Sequence, residues 1–194
     1  ISFVIVNWNT RDLLLQCLKS IYQTAADMHF EVWLVDNAST DGSVAAARRA
    51  YPEIHIIQNT ENLGFAAANN LAFARMQGRY AVLINTDARL KAGAIKRLFD
   101  FMEKVPDASM ACGQLLNEDG SKQNSIAPFP TLLSLISNET VLRLIFPQKY
   151  PSKRKNYTMP LEVDSCIGAC IMVRKSTMDR VGFLDERYFF FMEE

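Results

Sequence analysis

The sequence has no excess of either charge, no long hydrophobic run and no signal-peptide pattern. Lys and Arg together number 21, as do Asp and Glu, which excludes a net field of the kind that attracts nucleic acid. No apolar run reaches the roughly 18 to 20 residues of a membrane-spanning helix. We therefore expect a cytoplasmic protein, with the inner face of the membrane as the alternative location.

Paired-cysteine motifs are also absent. The four cysteines show neither CxxC nor a His/Cys ligand spacing, and each lies in an apolar run. We expect buried, reduced thiols at Cys17, Cys112, Cys166 and Cys170. The overall composition is that of an ordinary globular protein, because the 194 residues are 49% hydrophobic and 22% charged.

Strands and helices alternate through the first half of the chain. The β-branched runs SFVIVN, FEVWLVD, IHIIQN and YAVLIN predict strands, and apolar residues recur at helical spacing after each. Asn9 and Asp12 stand where the N-cap and third residue of the first helix belong, and Gly78 where a residue just past the third helix belongs. The alternation predicts an α/β fold with a mainly parallel central sheet and helices on both faces.

The second half reads as shorter elements. The run MACGQLLNEDGSKQNSI predicts a strand, a turn at Asp119-Gly120 and a return strand. A helix near 132–146 and a polar loop follow, and we prefer core packing for the helix and a solvated loop for the basic residues. A lipid surface is the alternative partner of this loop. Its basic residues are Lys149, Lys153, Arg154 and Lys155.

Polar clusters follow all four predicted strands of the first half. Ligands of parallel sheets collect at the carboxyl ends of strands, so the clusters predict one shared site. Asp36 suits a ribose hydroxyl or the N–H edge of a pyrimidine, but turn formation explains it equally well. The clusters are Asn7–Asn9, Asp36–Asn37, Asn59–Gly64 and Asn85–Asp87.

The first cluster lacks the glycine-rich loop of dinucleotide-binding proteins. NWNTRD contains no GxGxxG, which disfavours NAD or FAD as a cofactor. A bound diphosphate would therefore need another source of neutralisation. Asp87 suits a hard divalent cation held by one or two carboxylates and substrate phosphates, whereas its plain structural interpretation is a helix cap.

Five segments in order resemble the GT-A-fold glycosyltransferases of family 2, especially the bacterial rhamnosyltransferase-like branch. They are FVIVNWN, VWLVDNASTDGS, NLGFAAANN, VLINTDARL and CIGACIMVRKSTMDRVGFLDERYFFFMEE. The resemblance covers nearly the whole chain and is weakest between about 116 and 161. It implies a nucleotide-diphosphosugar donor, Mg²⁺ or Mn²⁺, and inverting transfer to an acceptor hydroxyl.

The resemblance also implies roles for individual residues. Val6 and Trp8 would flank the base, Asp36 would hydrogen-bond it, and Asp87 would bind the metal. Asn69 stands where many relatives carry Arg, which leaves more of the diphosphate charge to the metal. The wider nucleotide-binding set is Val6, Asn7, Trp8, Asp36, Asn37, Asn62, Gly64, Asn69, Asn85 and Thr86.

The terminal MEE resembles the family's Glu-Asp pair, whose second member is the catalytic base. Glu194 inherits that role and Glu193 lies beside it. The run CIGACIM would line the acceptor side at Gly168 and Ala169, where a glycine lets a sugar approach the backbone closely, and a β-bulge is the alternative interpretation of this glycine. We expect one GT-A catalytic domain over 1–194, incomplete at its C-terminal end, with a nucleotide-binding half (1–105) and an acceptor-side half (106–194). The predicted acceptor is a glycan or lipid-linked hydroxyl of cell-surface polysaccharide synthesis.

Two other functions stay open at this point. One is a nucleotide-sugar-binding module without turnover. The other is a Rossmann-type nucleotide-cofactor enzyme that uses Asp36 on a ribose, which the missing glycine-rich loop disfavours.

Overall fold

The computed structural model describes residues 1–127, 129 and 157–189. The strands in this part of the chain are β1 (Ser2–Asn7), β2 (Glu31–Asp36), β3 (His55–Gln58), β4 (Tyr80–Ile84), β5 (Met110–Cys112), β6 (Ile126–Ala127), β7 (Ser165–Cys166) and β8 (Cys170–Arg174). The helices are α1 (Arg11–Thr24), α2 (Ser43–Ala50), α3 (Gly64–Phe73), α4 (Ala94–Lys104) and α5 (Lys175–Val181).

Six strands form one sheet in the order β3-β2-β1-β4-β8-β5. β1 pairs in parallel with both β2 and β4, and β2 pairs in parallel with β3. β8 runs antiparallel to β4, and β6 and β7 form a separate antiparallel pair. The predicted mainly parallel sheet is therefore confirmed, with β8 as an antiparallel member.

Helices cover both faces of this sheet. Because successive residues of a strand point to opposite faces, one strand contributes side chains to both apolar layers. Phe3 and Ile5 of β1 belong to one buried cluster together with Leu18 of α1. Val4, between them, belongs to a second cluster together with Ala72 of α3. Burying a large apolar side chain contributes about 1.5–3 kcal/mol, so both layers stabilise the sheet.

The chain forms two compact units. The first comprises Ile1–Ala111 and the chain from Gly168 onward, and the second comprises Cys112–Ile167. The chain returns to the first unit at Gly168 because β8 pairs with β4. The assignment of the two halves to nucleotide and acceptor stays a prediction.

The predicted position of Gly78 just past α3 is wrong. The helix ends at Phe73, and Gly78 lies on the approach to β4. Its N–H donates to Ser2 Oγ at 2.9 Å, and a Cβ at Gly78 would lie 2.5 Å from that oxygen. A close approach to β1, and not a helix end, therefore requires the glycine.

The predicted turn at Asp119-Gly120 is confirmed. Gly120 has φ +81°, and Asp119 Oδ1 accepts the Ser121 N–H at 2.8 Å. Leu116 and Lys122, on either side, pair in an isolated bridge and not in the predicted hairpin strands. The run NEDGSKQN between the predicted strands has few residues that favour strands.

Two of the four cysteines depart from the predicted burial. Cys17 and Cys170 are buried, whereas Cys112 and Cys166 are partly exposed. Burial raises the pKa of Cys17 to about 12. A hydrogen bond with the Cys166 side chain instead lowers the pKa of Cys112.

Candidate functional site

The order of the strands changes direction beside β1. The chain passes from β1 to β2 and β3 on one side, whereas β4 pairs with the other side of β1. Ligands of open α/β sheets bind outside the carboxyl ends of strands at such a change of direction. Two of the predicted clusters lie at this edge: Asn7–Asn9 begins at the last residue of β1, and Asn85–Asp87 directly follows β4.

Asn7 and Asp36 contact each other directly at the ends of β1 and β2. Asn7 Nδ2 lies 2.7 Å from Asp36 Oδ1, 2.9 Å from Ser39 Oγ and 2.8 Å from Ser43 Oγ. Asp36 Oδ2 accepts the Ser39 N–H at 2.9 Å. Both side chains are buried, so these bonds fix the Asp36 carboxylate, which keeps further lone pairs for a ligand.

The predicted N-cap role of Asn9 is wrong. Thr10 occupies the N-cap position, and the first helical N–H, that of Arg11, donates to Asp41 Oδ2 at 2.8 Å. Asn9 has φ +54°, and its Oδ1 accepts the Thr40 N–H at 2.8 Å. An acid from the next loop therefore caps α1, while Asn9 holds that loop against the β1 end.

Asp41 is a structural residue of this edge that the sequence reasoning missed. Burial opposes its charge, but hydrogen bonds from the Ser43 side chain and backbone and the Arg11 backbone lower its pKa overall. Its position before Gly42, which has φ +78° and precedes α2, was the available signal. The signal does not identify α1 as the partner.

Asn37 links the ends of β2 and β3 to the start of α3. Its Oδ1 accepts from Asn59 Nδ2 at 2.8 Å, and its Nδ2 donates to Asn62 Oδ1 at 3.0 Å and Gly64 O at 3.1 Å. Asn62 Oδ1 also accepts the Gly64 N–H at 2.9 Å. The structure thus brings three predicted residues, Asn37, Asn62 and Gly64, into one hydrogen-bonded group.

The other predicted nucleotide residues differ in exposure. Trp8 is 58% exposed beyond β1, which leaves its indole face accessible, and Val6 is half-buried. Asn69 is only 1% exposed, and its Nδ2 donates to the Phe65 carbonyl at 2.9 Å within α3. The Asn69 amide group therefore hydrogen-bonds within α3.

Asp87 lies in an exposed turn after β4. The turn is closed by the Ala88 N–H, which donates to the Asn85 carbonyl at 3.1 Å. The Asn85 N–H donates to the Ala169 carbonyl at 3.1 Å, just before β8. The predicted metal residue and the predicted acceptor-side pair, Gly168 and Ala169, therefore lie at the same end of β4 and β8.

This turn fits a hard cation that shares its ligands with a substrate. No cluster of three His, Cys, Asp or Glu side chains occurs within the described ranges, so no preformed protein cage for a metal is seen there. An exposed carboxylate with neighbouring amide and hydroxyl oxygens suits Mg²⁺ or Mn²⁺ that is also bound by phosphates. Asn85, Thr86 and Asp87 supply these groups.

Several predictions lie outside the described residues. They concern the catalytic pair Glu193 and Glu194, the helix near 132–146 and the basic residues of the loop after it. In the part of the chain that is described, no helix is long and apolar enough to cross a membrane.

The fold and this edge define a doubly wound α/β protein whose candidate ligand site lies where the strand order changes direction. Comparison with known families is consistent with this class. The family model "Glycosyl transferase family 2" matches residues 2–182, and the chain belongs to that family.

Curated relatives carry glycosyltransferase names. The chain is 32% identical over 186 residues to N-acetylglucosaminyl-diphospho-decaprenol L-rhamnosyltransferase of Mycobacterium tuberculosis, an alignment covering 88% of this chain and 60% of the relative. It is 28% identical over 138 residues to putative teichuronic acid biosynthesis glycosyltransferase TuaG of Bacillus subtilis, covering 69% and 54%. The chain thus spans little more than half the length of these relatives.

Solved structures share the fold. Mannosyltransferase PcManGT from Pyrobaculum calidifontis, in complex with GDP-Man and Mn²⁺, superposes with TM-score 0.64 at 21% identity, covering 95% of this chain and 47% of that one. S. aureus TarS 1–349 in complex with UDP gives TM-score 0.62 at 16% identity, covering 97% and 51%. The predicted GT-A fold is confirmed.

Proposed function

We propose that this chain carries the donor site of an inverting, metal-dependent glycosyltransferase. It would transfer a sugar from dTDP-rhamnose or a UDP-sugar to a hydroxyl of a glycan or lipid-linked acceptor in cell-surface polysaccharide synthesis. The observation that carries the proposal is that two carboxylates lie at the carboxyl ends of parallel strands of one sheet: buried Asp36 ends β2, and exposed Asp87 lies in the turn after β4. The names of the M. tuberculosis and B. subtilis relatives support the substrate class.

The two carboxylates would bind different parts of the donor: Asp36 the base, and Asp87 the cation at the diphosphate. Asp36, fixed by Asn7, accepts hydrogen bonds from the base, and exposed Trp8 packs on the base with Val6 on its other side. Asn37, Asn62 and Gly64 shape the adjoining wall through their mutual hydrogen bonds. Asn69, turned onto its own helix, supports that wall from within α3.

Asp87, with Asn85 and Thr86, would hold Mg²⁺ or Mn²⁺. The bound cation would offset the charge of the leaving diphosphate. PcManGT, which shares the fold, forms its complex with GDP-Man together with Mn²⁺, and this supports the choice of cofactor. Because Asp87 is a single carboxylate, we expect weak metal binding until the nucleotide is present.

Glu194 would act as the base, with Glu193 beside it. Its carboxylate takes the proton of the acceptor hydroxyl while that oxygen bonds to the anomeric carbon from the face opposite the nucleotide. The bond from the anomeric carbon to the diphosphate oxygen breaks, and its electron pair leaves with the nucleotide. Gly168 and Ala169 would border the acceptor, and a lipid-linked acceptor would bring the protein to the inner membrane face.

Calorimetry with UDP and dTDP, with and without Mn²⁺, tests the donor site. We expect Mn²⁺-dependent binding that Asp87→Ala weakens at least about tenfold, as loss of a charged ligand implies. Asp107→Ala, which removes another exposed aspartate just past α4, is the matched control. Equal Mn²⁺-supported binding by both variants would remove Asp87 from the metal site, and binding of NAD or S-adenosylmethionine instead would favour a cofactor enzyme.

Glu194→Gln tests turnover separately from binding. In the full-length protein, nucleotide binding should be retained while transfer falls by about 10²-fold or more. Wild-type protein that binds the donor without any transfer or donor hydrolysis would instead indicate a binding module.

A further inference from the structure

Asn70 of α3 holds a stretch of chain that lies 114 residues away in the sequence. Its Nδ2 donates to the Leu184 carbonyl at 2.9 Å, and its Oδ1 accepts the Leu184 N–H at 3.0 Å. The same nitrogen donates to Glu186 Oε1 at 2.8 Å. This side chain, only 8% exposed, therefore pairs with the Leu184 backbone in both directions, as a neighbouring strand would.

The start of α3 makes a second attachment to the same stretch. The Phe65 N–H donates to the Phe189 carbonyl at 2.9 Å. Gly64 has φ +80°, and a Cβ there would lie 2.5 Å from the Phe189 oxygen. The rings of Phe73 and Phe183 lie 5.8 Å apart near the other end of the helix. Residues 183–189, the α3-bound segment, are thus attached at both ends.

Hydrogen bonds continue from this attachment to the nucleotide edge. Asn37 Nδ2 donates to the Gly64 carbonyl, and Asn37 directly follows Asp36 at the end of β2. Gly64 is therefore the residue against which both the β2 end and Phe189 rest. The position of the α3-bound segment is set relative to Asp36 by direct contacts.

We propose that Asn70 is a positioning residue for catalysis. By fixing residues 183–189 against α3, it fixes the point from which the chain continues to Glu193 and Glu194. The inference rests on the proposed role of Glu194 as the base. A base must lie within hydrogen-bond reach of the proton that it takes, and a misplacement of about 1 Å lowers a rate about 10²-fold.

Apolar packing explains why Asn70 acts on the segment more than on the fold. α3 is bound to the sheet by Ala68, Ala72 and Phe73, which belong to the cluster with Val4 of β1. These contacts remain when the Asn70 amide is removed. Its loss should therefore loosen the middle of the segment, around Leu184 to Arg187, while the Phe65–Phe189 and Phe73–Phe183 contacts hold its ends and the sheet and the nucleotide edge stay folded.

Limited proteolysis measures the attachment without any need for turnover. Arg187 lies within the α3-bound segment and Arg180 within α5, so trypsin cleavage at the two sites can be compared in one molecule. Asn70→Ala should accelerate cleavage after Arg187 by about tenfold relative to Arg180, because local opening governs access. Ile21→Val, a mild core change on the other face of the sheet, should not change the ratio.

Kinetics then test the positioning role in the full-length protein. With Mn²⁺ and dTDP-rhamnose or UDP-glucose, release of the nucleoside diphosphate gives kcat and KM. Asn70→Ala should lower kcat about 10- to 100-fold with KM and nucleotide Kd within about twofold, since the donor contacts are intact. Ile21→Val should retain wild-type kcat.

A paired substitution tests the specific contact. Asn70→Asp places a carboxylate against that of Glu186, whereas adding Glu186→Gln restores one donor and one acceptor in reversed order. The double variant should recover at least about threefold of the kcat lost by Asn70→Asp alone. No recovery, together with an unchanged Arg187 cleavage ratio, would refute the contact.

The two proposals fail in different ways. Wild-type protein that neither binds UDP or dTDP with Mn²⁺ nor hydrolyses a donor would refute the proposed function, and the positioning role with it. Wild-type turnover with an unchanged kcat in Asn70→Ala would refute the positioning role alone. A raised KM with unchanged kcat would make Asn70 a binding residue and equally overturn the inference.

Discussion

Replacing Asn7 with alanine tests whether the buried amide at the end of β1 holds the site together. Asn7 Nδ2 donates to the Asp36 carboxylate, and its Oδ1 accepts from Thr10 Oγ at 2.8 Å. Alanine removes both bonds and also the Nδ2 contacts with Ser39 Oγ and Ser43 Oγ, and it leaves the buried Asp36 with the Ser39 N–H as its remaining described donor. The substitution should therefore destabilise the protein because Asp36 and Thr10 lose their hydrogen-bond partner.

The magnitude follows from these contacts. Losing a hydrogen bond to a charged group costs about 1.5–3 kcal/mol, and the Thr10 bond adds about 1 kcal/mol. We expect Asn7→Ala to lower the free energy of unfolding by about 3 kcal/mol. Asn69→Ala is the matched control, because it makes the same change at a buried site where the Phe65 carbonyl stays in the α3 backbone ladder. It should cost about 1 kcal/mol.

Urea unfolding followed by far-UV circular dichroism measures both variants. A difference of about 2 kcal/mol separates the two midpoints by about 1 M at an m-value near 2 kcal/mol/M. Coincident midpoints would refute the reasoning, because they would show that the Asp36 and Thr10 contacts of Asn7 contribute no more than a bond within one helix.

Two further predictions concern a glycine and a thiol. Gly78→Ala should lower the free energy of unfolding by about 1–3 kcal/mol in the same urea assay, because the added Cβ would lie 2.5 Å from Ser2 Oγ in β1. Gly113→Ala is the control and should change the midpoint little, because nothing lies within 4 Å of a Cβ there. Equal midpoints for the two variants would contradict the prediction. Iodoacetamide should label Cys112 at a half-maximal rate at a lower pH than it labels free cysteine, because the thiolate reacts and the pKa of Cys112 is lowered. Peptide mapping should find buried Cys17 unlabelled. Preferential labelling of Cys17 would contradict its burial.

The order and type of the first eight elements were predictable because each has a strong local pattern. The run SFVIVN contains β-branched residues at consecutive positions, and the observed strand is Ser2–Asn7. Helical spacing at Leu14, Cys17 and Leu18 likewise gives α1, where these side chains are buried. Burial on both sheet faces requires such patterns, so the sequence carries them.

Helix ends were less predictable because their partners come from other parts of the chain. Asp41 caps α1 from the loop after β2, 30 residues from Arg11, and no spacing within α1 signals this. Gly78 is small because it approaches Ser2, 76 residues away. Local rules place caps and glycines by neighbours in sequence, whereas here tertiary contacts decide.

The positions of the candidate residues at the strand ends were predictable from the sequence, but the hydrogen bonds between distant segments were not. Strand ends collect ligands in parallel sheets, so Asn7, Asp36 and Asp87 could be placed at one edge from the alternation alone. The contacts of Asn70 could not, because the helical pattern of NLGFAAANN does not distinguish an asparagine that grips a distant segment from one, such as Asn69, that bonds within its own helix.

Asparagine recurs at this edge for a physical reason. An amide donates and accepts at once, so Asn7, Asn37 and Asn70 each join two or more chain segments without adding charge. Aspartate in their place would supply only acceptors and would set further negative charge near a diphosphate, whose neutralisation already depends on a cation at Asp87 in the proposed function. In the proposed function, the amides of Asn7, Asn37 and Asn70 therefore connect the framework without adding to the negative charge of Asp36, Asp41 and Asp87.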